Sequence, residues 1–312
     1  KSALENQFSI YRKQIQTMAQ SKYVIESMKS FDNSFKSYPR ELLRYEPQMT
    51  IQQRSKELRS YYTGDFSEEF QKRKGVRTDR GNEVVSRLSS EAIAFQHAFI
   101  ADNPNPLGSK HLMDKPAHVE RGEYAEFHAN YHPYFRNFLE KFGYYDIFLV
   151  EPENGRVVYS VFKELDFATS LVDGPYSQSN FAAAFRAVQG SRNPDLVKMV
   201  DFDEYYPSYQ SAASFLSAPI IDGDEPVGVL VFQIPIDQIN ITMTNSGSWS
   251  SVGLGRSGET YMVSDDYSMR NDSRLLIEDP DSFFGNLQKQ NIPAEKITRI
   301  RSLQSSILIQ NA

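Results

Sequence analysis

The chain has 312 residues, 40% of them hydrophobic and 24% charged, a length of about two ordinary domains and a balance that suits a folded rather than a disordered chain. Its net charge of −6 argues against a nucleic-acid partner, whose phosphates are held by clustered Lys and Arg. The absence of cysteine removes disulfides, thiolate metal sites and cysteine nucleophiles, and no apolar run approaches the roughly 20 residues that cross a bilayer.

In chain order, the first signal is a stripe of Leu4, Phe8, Tyr11, Ile15, Met18 and Ile25, spaced alternately by four and three and interrupted at Lys22. This spacing predicts a helix with a heptad-like seam. With no Gly or Pro before Pro39, it can run for about thirty residues, on the order of 45 Å. The seam suits either packing on the chain's own domain or pairing with a second copy. Further helices are predicted over 51–62 and 82–101, the latter stopped by Pro104, Pro106 and Gly108. Another follows Gly122 and ends at Gly143, with a kink or restart expected near His132 because Pro133 lacks a backbone donor.

The texture changes at residue 144. Segments 144–150 and 156–162 read as a hairpin around Asn154-Gly155, and 197–202, 212–221 and 227–234 as three more strands, the last two joined by a tight turn at Gly223. Short helices are expected over 179–188 and 236–243. Beyond Gly247, a turn and strand over 255–264, helices over 281–290 and 294–303, and a strand starting at Ser306 suggest a second unit that is cut short. The fold class is α+β, with a helical region (1–142), a mostly antiparallel five-stranded module (143–245) and a smaller module (246–312).

Catalytic signals are weak. His128 and His132 are four apart, as in helical zinc sites, but Ala129 stands where a metalloprotease needs its glutamate. The other histidines are His97, His111 and His118. Paired aspartates at 222/224, 265/266 and 279/281 lie in turn-like stretches. The glycines 253, 255 and 258 precede a strand, the reverse of a dinucleotide-binding loop. No enzyme activity, metal or cofactor is expected. An aromatic and polar belt in the sheet module is the better candidate: Tyr144 and Asp146, then Tyr159, Lys163 and Asp166, then Asp201, Tyr205, Tyr206 and Ser208. Such residues could line a solute pocket, Asp201 holding an amine and Lys163 a carboxylate. They could equally be core tyrosines and solvated charges.

The stretches 142–167 (FGYYDIFLVEPENGRVVYSVFKELDF) and 200–240, with Ala218-Pro219-Ile220 before the turn and Val227-Gly228-Val229 after it, resemble a Cache module, the PAS-like extracytoplasmic sensor domain. The chain is similar over most of its length to the sensor regions of bacterial methyl-accepting chemotaxis proteins and of related transmembrane cyclases and histidine kinases. The resemblance implies a double-module, periplasmic sensor between two membrane spans, and the start at Lys1 rather than Met leads to the expectation of a piece of a longer protein. It further implies a small-molecule ligand in the distal module, and the long helix is expected to mediate a homodimer. The Tyr/Arg/Trp/Tyr/Asp set of amino-acid-binding relatives is not complete here.

Overall fold

The computed structural model describes residues 2–116 and 122–311, so His118 lies outside it. The predicted N-terminal helix is two helices. α1 (Ser2–Ala19) stops just before Ser21, whose hydroxyl accepts from the Val24 amide and caps α2 (Lys22–Tyr45). α2 then runs straight through Pro39, where the local rule would end it. An internal proline costs about 3 kcal/mol, but Phe31, Phe35, Tyr38 and Leu42 are buried on one stripe of α2, and each such side chain contributes about 1.5–3 kcal/mol. Tertiary burial wins.

The remaining helices repeat this contest. α3 (Ile51–Tyr61) starts at a capping box of Thr50 and Gln53 and continues through a π-helical turn (Tyr62–Phe66) into α4 (Ser67–Lys74), which ends at Gly75 in a left-handed conformation. The helix expected over 82–101 is broken. α5 (Gly81–Ser86) ends, Ser89 caps α6 (Ser90–Gln96), and a π-helical turn covers His97–Ala101. α7 (Glu123–Phe142) passes Pro133 without the expected restart and stops at Gly143, φ 71°. Its buried Tyr124, His128, His132, Phe135 and Leu139 hold it against α2 and the sheet.

Five antiparallel strands form one sheet of order β2-β1-β5-β4-β3: β1 (Asp146–Val150), β2 (Val157–Ser160), β3 (Lys198–Tyr205), β4 (Ser211–Asp222) and β5 (Glu225–Pro235). β1 and β2 are buried throughout, because helices cover both faces of the sheet. One face carries Ile147, Leu149, Leu216, Leu230 and Phe232 against the long helices. The other carries Phe148, Phe215, Val229 and Val231 against α8 (Asn180–Arg186), through Phe181 and Phe185. The seam residues Tyr11, Ile15 and Met18 are buried, and α1 packs on β4 and β5, so the seam is taken up by the chain's own core. α2 crosses β5 closely: a Cβ on Gly228 would lie 2.5 Å from the Met28 sulfur.

After β5, α9 (Ile236–Thr244) leads to a C-terminal segment of α10 (Arg274–Glu278), α11 (Pro280–Lys289) and α12 (Ala294–Leu303). The strands expected near 260–264 and 306–310 are isolated bridges only, Val263 to Met269 and Ser268 to Asn311. The reason is visible at Asp272: its carboxylate accepts from the Ser305 hydroxyl and the Ser306 amide at 2.8 and 2.7 Å, holding that stretch in turns.

Candidate functional site

The loop that leaves β2 gathers most of the charged residues buried in the sheet module. Asp146, at the start of β1, sets the loop's path. One of its oxygens accepts from the amides of Ile147, Val161 and Phe162 at 2.6, 2.9 and 3.1 Å, and the other accepts from the Ser160 hydroxyl at 2.9 Å. Burial pushes the Asp146 carboxyl above its ordinary range, against these hydrogen bonds. With three amides on one oxygen and the Ser160 hydroxyl on the other, Asp146 builds the turn.

The turn places Lys163 in a left-handed conformation, φ 60°, which is uncommon for a residue with a Cβ. Its side chain is buried. Its amine donates to the Ser160 carbonyl and lies over the rings of Tyr159, Phe167 and Phe99, at 4.5, 5.1 and 5.9 Å from their centroids. Burial holds its pKa well below the ordinary lysine value, opposed by the Asp146 charge.

Two more acids follow. Tyr145 and Ser208 donate to the two oxygens of Glu164 at 2.8 and 3.0 Å, and Gln233 donates to the Ser208 oxygen at 3.0 Å. Tyr205 donates to one oxygen of Asp166 at 2.7 Å. The other Asp166 oxygen and the Gln233 side-chain oxygen are buried without a partner. Burial, then the neighbouring acids, push Glu164 well up and Asp166 to about 7. Gln96, fully buried on α6, donates to the carbonyls of Leu165 and Phe167 at 2.8 and 2.7 Å and accepts from Tyr62 at 2.7 Å, so the helical layer grips this loop from outside the sheet.

The histidine pair lies next to this cluster. His128 and His132 stack with ring centroids 4.3 Å apart. His132 donates through Nε2 to the His111 carbonyl at 2.6 Å and accepts the Tyr159 hydroxyl at Nδ1, 2.7 Å. His128 donates through Nδ1 to the Asp114 carbonyl at 2.7 Å. Burial, then the Lys163 charge, hold both well below the ordinary histidine pKa. The pair therefore clasps segment 111–114 as neutral rings. Among the described residues no group of three or more His, Asp or Glu could hold a metal.

Of the sequence-predicted residues, Asp146, Tyr159, Lys163, Asp166, Tyr205 and Ser208 come together in this way. Three do not. Tyr144 turns to the helical face, donating to Gln14 at 2.5 Å and packing on Phe232. Tyr206 faces Thr78 at 3.0 Å, with the Arg80 guanidinium over its ring. Asp201 is half-exposed and forms a two-pronged pair with Arg270, 3.1 and 2.9 Å, with Ser264 donating at 2.7 Å. Burial raises the Asp201 pKa, but these bonds together hold it below the ordinary range. Through this pair it anchors the C-terminal segment. Glu164, Gln96 and Gln233 are the members that sequence reasoning missed. Gln233 carried a readable signal, as a polar residue inside an otherwise apolar strand.

The cleft found among the described residues between these segments is smaller than a solute needs. The cleft beside the cluster, walled by Tyr61, Phe66, Phe162, Glu164, Pro207 and Tyr209, has a volume of about 20 Å³, room for about one water. Aromatic side chains from the helical layer fill the rest: Phe66 stacks on Tyr209 at 4.9 Å, and Phe99 and Phe167 lie 5.7 Å apart.

No family model matches the chain, and no curated protein matches it. Among solved structures it is similar to the sensor domain of the Vibrio cholerae histidine kinase DctB, with 16% identity and a TM-score of 0.29, over 57% of this chain and 58% of that one. No helix among the described residues is long and apolar enough to cross a membrane.

Proposed function

We propose that this chain is the extracytoplasmic, periplasmic sensor domain of a transmembrane receptor, with no catalysis of its own, and that its sheet module reads a small solute at the Lys163–Glu164–Asp166 cluster. The observation that carries this reading is the cluster itself. Burying ionisable groups costs stability, whether they stay charged or are driven toward their neutral forms, and an apolar core of similar shape is often as stable or more so. Three carboxylates and one amine inside a sheet module, with two acceptor oxygens unpartnered, describe a place kept for binding rather than for stability. The cleft holds about 20 Å³, so the solute would enter as the turn at 206–210 and the loop at 161–167 part. A solute biases such a change only by its difference in affinity for the two states.

The receptor class that the sequence resemblance favours is a chemotaxis transducer, with a histidine kinase or nucleotide cyclase as the alternative. A homodimer through α1 would use the face left outside the core, where Ile10 is exposed, and not the buried seam. The small volume of the cleft favours one further reading, a module that binds a periplasmic solute-binding protein through its surface.

Thermal melting with a panel of amino acids, amines, organic acids and sugars tests the proposal. At least one solute should raise the melting temperature of the wild-type chain, and Asp166→Asn should diminish that rise. A silent panel, together with tight binding of a partner protein, would replace solute sensing by the second reading.

A further inference from the structure

A cleft of about 270 Å³ opens between the junction of α5 with α6 and the loop 168–175 that follows β2. Its volume is close to the lower end of the range of small-molecule sites, about 300–1,000 Å³. Neither Lys163, Glu164 nor Asp166 lines it. Close folding of the loop sets its shape. The Ser170 hydroxyl donates to the Asn154 carbonyl at 2.8 Å and accepts from the amides of Val172 and Asp173 at 3.1 and 3.2 Å. A Cβ on Gly174 would collide with the Ser170 carbonyl oxygen. Ala168, buried in the wall, stands at φ 65°, a costly conformation for a residue with a Cβ. Arg87, just past the end of α5, donates to the Gly174 carbonyl at 3.1 Å and so ties the two walls together.

The charges around the cleft nearly cancel. Arg87 and Arg156 stand in the walls with Asp173. Glu151 lies 3.9 Å from Arg156, and Glu91, in the first turn of α6, is near enough to feel the same guanidinium. Three carboxylates thus surround two guanidinium groups. An anion would meet the acids, and a cation would meet the two arginines. Hydrogen-bonding capacity is nevertheless left over. Among the described residues the side chains of Arg156, Asn154 and Asp173 make no hydrogen bond, and Arg87 uses a single N–H. The guanidinium groups can only donate, the aspartate can only accept, and the asparagine amide does both. Leu88, Ala92 and Pro175 add apolar surface to the same walls.

We propose that this cleft is a second binding site, distinct from the Lys163 cluster, and that it takes an uncharged polyhydroxylated solute of monosaccharide size. Each sugar hydroxyl donates and accepts at once, so neighbouring hydroxyls can serve the aspartate and a guanidinium together. A lone amine or a lone carboxylate satisfies one sign and opposes the other. The C–H face of the sugar would rest on Leu88 and Pro175. The site bears on the cluster through Thr169, whose hydroxyl and amide donate to the Asp166 carbonyl at 2.7 and 3.1 Å. A sugar held here would tie the α5–α6 junction to the loop that carries Asp166.

Saturation-transfer NMR titrations of the whole chain with D-glucose, D-galactose and D-ribose test this, with sodium acetate and methylammonium chloride as charged controls at equal ionic strength. At least one sugar should bind saturably, and neither control should bind more tightly than that sugar. Arg156→Met and Asp173→Ala should each weaken the sugar about tenfold or more, the effect of losing a charge-assisted hydrogen bond. Lys163→Met should leave its affinity within about threefold, as expected for a separate site. Solute reading at the cluster can therefore fail while this site stands. Circular dichroism establishes that each variant is folded. No saturable sugar binding, tighter binding of acetate or methylammonium, or sugar affinity unchanged in folded Arg156→Met and Asp173→Ala would overturn the proposal.

Discussion

Tyr205 donates its phenolic hydrogen to one oxygen of Asp166 at 2.7 Å, while the other oxygen of the same carboxylate is buried with no partner. Burial, then the neighbouring Asp146 charge, tunes this carboxyl toward its protonated form, against the Tyr205 hydrogen bond, and raises its pKa from 3.8 to about 7.

That shift sets a sign for pH dependence. Asp166 binds a proton more readily in the folded than in the unfolded chain, so its contribution to stability is fully present below about 4 and is lost as pH rises to about 7. Asp166→Asn keeps an acceptor for Tyr205 and removes the charge. The variant should be more stable than wild type at pH 8, by on the order of 2 kcal/mol, and the difference should shrink toward pH 5. Urea denaturation at the two pH values measures both.

The histidine clasp runs the other way. His128 and His132 are held well below their ordinary pKa of 6.5, so their contribution is present above that value and is lost as pH falls beneath it. His132→Phe keeps the stack but leaves the His111 carbonyl and the Tyr159 hydroxyl without this partner. It should cost about 1–3 kcal/mol at pH 7.5, with a smaller difference at pH 5. Thermal melts at the two pH values check this.

Packing of α2 on the sheet rests on Gly228. Alanine there meets Met28 within 2.5 Å, and overpacking of this kind costs about 1–3 kcal/mol. Gly228→Ala combined with Met28→Ala should fall short of the summed single losses, since the second change removes the clash. A double-mutant cycle by chemical denaturation reads the coupling directly.

At the C-terminal segment, Arg270 is almost fully buried while Asp201 is half-exposed. Asp201→Ala leaves Arg270 without its two-pronged partner. Solvent around Asp201 moderates the loss to about 1–2 kcal/mol, short of the 3–5 kcal/mol for a fully buried pair. Hydrogen exchange should quicken over 262–274 and stay slow in β4 and β5.

The parts of this molecule legible from sequence are those set by short-range chemistry. The hairpin at Asn154-Gly155, the turn at Gly223, the cap at Gly143 and the five strands follow from turn residues and β-branched runs. The helices at Pro39 and Pro133 did not, because burial of distant aromatic stripes outweighs a local proline penalty. The same division holds at the site. Asp146, Lys163 and Asp166 lie within one hairpin and its exit loop, and their proximity was readable. Tyr205 ends β3 and Tyr206 opens the turn that follows, and one reaches Asp166 and the other Thr78. Asp201 meets Arg270 across 69 residues of chain, and Gln96 reaches the loop from a separate helix. Neither contact leaves a local trace.

The most direct test of solute sensing is functional grafting. The chain would replace the sensor of a chemotaxis receptor, and the activity of the coupled kinase would be followed while small solutes are added one at a time. The account predicts that at least one solute changes kinase output, and that Lys163→Met or Asp166→Asn shifts the midpoint at least tenfold without loss of basal output. A graft with normal basal activity that ignores every solute, yet responds when a periplasmic binding protein is supplied, would contradict it.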